Sequence, residues 1–163
     1  MRRRFGKLIN KIISKDKKNI LIVGDIGFRI FDEVRSQNPK NFINIGICEQ
    51  SMISFASGLA LEGLKPWVYT ITPFLLERPF EQIKLDIDQQ KANVKLVGFA
   101  DYPSLGPTHS ELNAKKLCSL FKNIKSFFPS NSEETEKYIL KSSLIKGPVF
   151  ISLKTDKFIK KKF

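Results

Sequence analysis

Short apolar runs rich in β-branched and aromatic residues alternate along the chain with longer stretches whose apolar residues recur at helical spacing. Asn19–Val23 (NILIV), Phe42–Ile45, Trp67–Ile71, Val94–Phe99, Ile124–Phe128 and Val149–Leu153 predict strands, with Gly, Pro or Asn at or near most of their ends. Residues 28–37, 48–62, 73–90, 111–122 and 131–145 predict helices, and 5–14 is a candidate amphipathic helix ahead of the first strand. Several strands are apolar at every position, as expected when helices cover both faces of a sheet. The pattern therefore predicts an α/β fold: a doubly wound, mainly parallel six-stranded sheet with helices on both faces. Thr108 with Glu111, and Ser130 with Glu133, are spaced as capping boxes. Gly63 falls where the 48–62 helix should stop. Pro79 is incompatible with the interior of a helix, so 73–78 is expected to be a turn and the helix to start at 79.

With 163 residues, 42% of them hydrophobic, the chain is long enough for one domain with a real core. No apolar run approaches the roughly 20 residues that cross a bilayer, which excludes a spanning helix. Residues 5–13 are interrupted by Lys7, Asn10 and Lys11 and do not read as a secretory segment. Cys48 and Cys118 are too few for a disulfide framework or a zinc cage, so a reduced, cytoplasmic setting is expected. The net charge of +12 is concentrated at the ends. Residues 1–18 hold eight Lys/Arg against Asp16, residues 154–163 hold five Lys against Asp156, and 19–153 hold 15 basic and 14 acidic residues. The division expected is a basic N-terminal segment (1–18), a domain (19–153) and a basic C-terminal tail (154–163). The nearly neutral body lacks the basic stripe of a nucleic-acid reader, and no nucleic-acid or membrane partner is expected.

Ligands of open parallel sheets lie beyond the carboxyl ends of the strands. The segments there are Gly24-Asp25-Ile26-Gly27, Gly46-Ile47-Cys48-Glu49, Thr72-Pro73-Phe74, and Asp101 to His109. No GxGxxG or GK[ST] phosphate loop is present. From position alone Glu49 reads as a helix-start acid favoured by the helix dipole, Phe74 as core, and His109 as a loop histidine.

In this order the segments resemble the aminopyrimidine-binding domain of the transketolase family, thiamine diphosphate enzymes that include the deoxyxylulose-phosphate synthases. The matching stretches are GDIG (24–27), NIGICEQSMISFASGLALEGLKPWV (44–68), TPFLLERPFEQIKLD (72–86), GPTH (106–109) and GPVFISL (147–153). The resemblance implies that the Glu49 carboxyl bonds N1′ of the cofactor's aminopyrimidine, favouring the imino form whose N4′ removes the thiazolium C2 proton. Ile47, Met52 and Phe74 would keep that carboxyl dry, which strengthens the bond. Phe74 would lie against the pyrimidine ring, Ile26 would prop the bent cofactor, and Ile47 would line the same pocket. The family histidine, here His109, reaches donor-sugar oxygens and can move a proton.

Departures qualify the match. Leu105 stands where transketolases commonly carry a hydroxyl-reading aspartate, which puts the usual pentose-phosphate specificity in doubt. Arg29 replaces a phosphate-contacting serine and could bind an anion or simply face solvent. Arg78 follows Phe74 by four positions where the family arginine follows by three, making it a weak substrate-binding candidate. Cys48 has no histidine partner in its loop and reads as a small buried thiol. No GDG…N segment for the diphosphate and Mg²⁺, and no third domain, is found. The resemblance thus implies one subunit of a split, hetero-oligomeric transferase, active only with a chain of the diphosphate-binding, N-terminal transketolase type that holds thiamine diphosphate's Mg²⁺. Its substrate would be a small sugar or oxo acid. A two-domain decarboxylase subunit and a non-catalytic scaffold are the alternatives.

Overall fold

The computed structural model describes residues 1–100 and 105–155. Strands β1 (Asn19–Val23), β2 (Phe42–Asn44), β3 (Lys65–Ile71), β4 (Lys95–Phe99), β5 (Lys125–Phe127) and β6 (Val149–Leu153) form one sheet in the order β2-β1-β3-β4-β6-β5. Every pairing is parallel: Leu21 lies opposite both Phe42 and Trp67, Tyr69 opposite Val97, and Val97 opposite Ile151. The helices are α1 (Arg2–Lys15), α2 (Asp32–Gln37), α3 (Glu49–Leu61), α4 (Thr72–Leu76), α5 (Phe80–Gln82), α6 (Ala114–Ser119) and α7 (Ser132–Leu144), with α5 running on into a π-helical stretch over Ile83–Gln89.

The continuous apolar strands divide by parity, because successive side chains point to opposite faces. Ile20, Ile22, Val68, Leu96 and Phe150 join Met52, Ile53 and Ala56 of α3, Leu75 and Leu76 of α4, and Cys118 of α6 in one core. Leu21, Val23, Trp67, Tyr69, Val97 and Ile151 join Phe5, Ile9 and Ile13 of α1, Val34 of α2 and Ile139 of α7 in the other. The basic N-terminal segment is thus a helix with its apolar stripe on the sheet, while Arg3, Arg4, Lys7 and Lys11 stay exposed. Gly6 permits the contact, since a Cβ there would sit 2.4 Å from the Ile30 carbonyl oxygen.

The chain departs from the predicted elements at α4 and at the starts of α6 and α7. Residues 72–76 form α4 rather than a turn, because Pro73 occupies its first turn, where a missing N–H costs nothing. Pro79 then separates α4 from α5. Both predicted capping boxes are displaced. Asn113 caps α6 by accepting from the Lys116 amide, and Asn131 caps α7 by accepting from the Glu134 amide, while Glu134 reaches back to the Ser130 amide. Finally, α4 starts directly on β4: a Cβ at Gly98 would come within 2.6 Å of Thr72 Oγ1.

Candidate functional site

β2 and β3 flank β1, so successive connections leave β1 in opposite directions. The loop after β1 leads to the α1–α2 face and the helix after β3 lies on the other, the arrangement that places ligands of open parallel sheets at the carboxyl ends of the strands.

Glu49 opens α3 at this rim and is 5% exposed, with fully buried Met52 one turn on. A buried carboxylate needs a partner, and Arg78 supplies it: Nη1 lies 3.1 and 3.2 Å from the two Glu49 carboxylate oxygens. Arg78 follows α4, and the four-residue spacing from Phe74 lays its guanidinium carbon 3.6 Å from the Phe74 ring centroid. His109 meets the same ring edge-on, with centroids 4.8 Å apart. It ends a 3₁₀ turn over Pro107–His109, and its Nδ1 is 3.0 Å from Thr108 Oγ1. Glu77 tethers this loop to α4 by accepting from the Leu112 amide at 2.8 Å.

The structure therefore brings together Glu49, Phe74, Arg78 and His109, from two helix ends and one loop. The other candidates have surroundings of their own. Ile26 is half-buried and lines a cavity of about 360 Å³ with Val23, Phe28, Phe31 and Phe42. Ile47 is 71% exposed. Arg29, at φ +62°, borders a surface hollow shared with Arg3 and Lys7 of α1. Leu105 is exposed, and residues 101–104 of the same predicted loop lie outside the described residues. Cys48 is half-buried, its thiol 3.1 Å from the Ile45 carbonyl oxygen.

Asn44 is the rim residue that sequence reasoning missed. It accepts from the Asp25 and Gly46 amides and donates to Asp25 Oδ1, so it ties the first two rim loops and holds Asp25 at φ +51°. An asparagine closing a strand was the available signal. Among the described residues, no cluster of three His, Cys, Asp or Glu could hold a metal ion, and no helix is long and apolar enough to cross a membrane.

A doubly wound parallel sheet with a buried carboxylate and an aromatic side chain at its carboxyl rim is an α/β domain of the open-sheet class. Comparison with known proteins narrows the class. Residues 1–158 match the family described as transketolase, pyrimidine binding domain. The chain is 31% identical over 152 residues to an uncharacterized 33.6 kDa protein in the fasciation locus of Rhodococcoides fascians, covering 91% of this chain and 49% of that protein. It is 37% identical over 118 residues to one of the apulose-4-phosphate transketolase subunits of Actinobacillus succinogenes, covering 71% and 38% respectively. A split-gene transketolase solved as an inactive β4 tetramer superposes with a TM-score of 0.85 at 27% identity, over 95% of this chain and 50% of that one. Campylobacter jejuni transketolase, at 19% identity and a TM-score of 0.82, shares the fold over 94% of this chain and 25% of that one. The chain spans about half the length, or less, of these curated relatives. It belongs to the transketolase pyrimidine-binding domain family.

Proposed function

We propose that this chain supplies the aminopyrimidine-side half of a thiamine diphosphate site in a transketolase-like enzyme, one that transfers a carbon fragment from a ketose or 2-oxo acid donor. The observation that carries the reading is the buried Glu49 carboxylate facing the same space as the Phe74 ring. The residues fit the group. A flat cation already lies on Phe74 with an N–H aimed at Glu49, which supports a planar group with an N–H edge in the same position. When bound, the cofactor supplies a carbon nucleophile and an electron sink.

Glu49 would accept a hydrogen bond from the ring nitrogen and hold a proton there, with Met52 excluding water behind it. Phe74 would stack on the ring, an interaction worth on the order of 1 kcal/mol beyond burial. His109, edge-on to Phe74 and half-exposed at the rim, is placed to take or return a proton at a donor oxygen. The diphosphate and its Mg²⁺ would be held by a diphosphate-binding chain of the N-terminal transketolase type. Exposed Phe28 and Ile47 on adjacent rim loops suit an apolar seam closed by that partner.

The test mixes this chain with a diphosphate-domain chain, thiamine diphosphate and magnesium, and follows donor cleavage. Glu49→Gln should lower the rate by about 10²–10⁴-fold, the usual range for a positioned acid–base group. Full retention of activity would end the reading.

A further inference from the structure

The contact that neutralises Glu49 also covers the face of Phe74, and a single side chain makes both. We propose that Arg78 is an internal stand-in for the aminopyrimidine, a removable occupant that competes with the ring for Glu49 and Phe74. The inference rests on the cofactor reading given above.

The chemistry of the two occupants matches. A guanidinium is planar and cationic and offers N–H groups along one edge, as does a protonated aminopyrimidine. Arg78 lies 3.6 Å from the Phe74 centroid and points Nη1 at both Glu49 oxygens, at 3.1 and 3.2 Å. A ring stacked on Phe74 and bonded to Glu49 would need that same volume, so the two cannot be bound together.

The pair is also asymmetric. The Glu49 side chain is 5% exposed and fixed on α3, whereas the Arg78 side chain is 41% exposed on the short link between α4 and Pro79. Glu49 receives the only hydrogen bonds found for the guanidinium among the described residues. Swinging outward, Arg78 recovers its hydration and breaks no other bond, while Glu49 exchanges one N–H donor for another. Without a ring, the arginine spares Glu49 from being a lone buried carboxylate.

A competitor tethered in the site weakens apparent affinity by the fraction of time that the site is open. Removing it should tighten binding. A half-exposed ion pair together with a cation–π contact corresponds to about 3- to 30-fold in the dissociation constant.

The experiment titrates thiamine diphosphate, with magnesium in excess, into the chain assembled with a diphosphate-domain partner, using calorimetry and stopped-flow protein fluorescence. Wild type, Arg78→Ala and Arg78→Lys are compared, with circular dichroism checking that each is folded. Arg78→Ala should bind more tightly and associate faster. Arg78→Lys, which keeps the charge but loses the flat fork, should fall between the other two and remains informative if the alanine variant unfolds. Wild-type binding that is unchanged or weakened in the folded variants overturns the stand-in and leaves the cofactor reading intact. Absence of any binding by the wild-type assembly overturns the cofactor reading itself.

Discussion

The two ends of the sheet handle buried polar groups in opposite ways. At the amino ends of the strands, Lys95 is buried and donates to Asn93 Oδ1, the Ile145 carbonyl and the Gly147 carbonyl at 2.6–2.9 Å, a full set for an ammonium group. Asn19 accepts from the Trp67 indole at 3.0 Å and donates to the Asp16 carbonyl, while Asn41 donates to Lys17 and Asn19 carbonyls. These partners belong to fixed backbone or to side chains locked by packing. At the carboxyl ends, Glu49 depends on a half-exposed arginine, Asp25 and Arg29 are held at positive φ, and Phe28 and Ile47 face outward. Saturated polar groups fasten the fold. Groups with one exchangeable partner leave room for a ligand.

Four substitutions sharpen the contrast. The largest expected effect is at the rim: Glu49→Gln should remove about 10²–10⁴-fold of donor cleavage while leaving the urea midpoint nearly unchanged. A matching loss of stability would mean that Glu49 fastens the fold as the basal residues do. Next, Trp67→Ala empties the middle of the α1 face, where Phe5 packs at 6.1 Å, and should cost about 3–5 kcal/mol in urea unfolding.

The third prediction concerns Lys95. Burial, with a smaller contribution from Lys65, pushes its amine down to about 7. The unfolded chain keeps that proton to roughly pH 10.4, so it binds more protons than the native state across this window. Wild-type stability should therefore rise between pH 7 and 10 relative to Lys95→Met. Parallel pH profiles for the two proteins would show that the amine stays charged in the fold. The smallest effect is expected for Asn44→Ala, which removes the links between rim loops at a cost of about 0.5–1.5 kcal/mol, visible as faster amide exchange at Asp25 and Gly46.

Much of the architecture was legible because strands as apolar as Ile20–Val23 call for helices on both faces, while the division of their side chains between the two cores came from the structure. Helix starts were less so. Asn131 and Ser130 are both competent cap types at adjacent positions, and Asn131 is the one that accepts from the Glu134 amide. The turn expected at 73–78 gives way to a helix for a similar reason: Pro79 breaks the helix, while Pro73 initiates one. For the site, the family blocks located Glu49, Phe74 and His109, and the geometry brings these three rim positions together. The engagement of Arg78 with both Phe74 and Glu49 was half legible. Its four-residue spacing from the aromatic is a helical neighbour relation, but Glu49 comes from a different helix, and no sequence spacing ties that acid to the arginine.

The bare hydrogen of Gly98 sets the height of everything above it. Because α4 lies against that position, a methyl there would act as a wedge under Thr72, tilting the ledge on which Phe74 and Arg78 stand. The pocket's floor is thus levelled from a neighbouring strand, and Gly98→Ala is a way to detune the site without touching any residue that lines it.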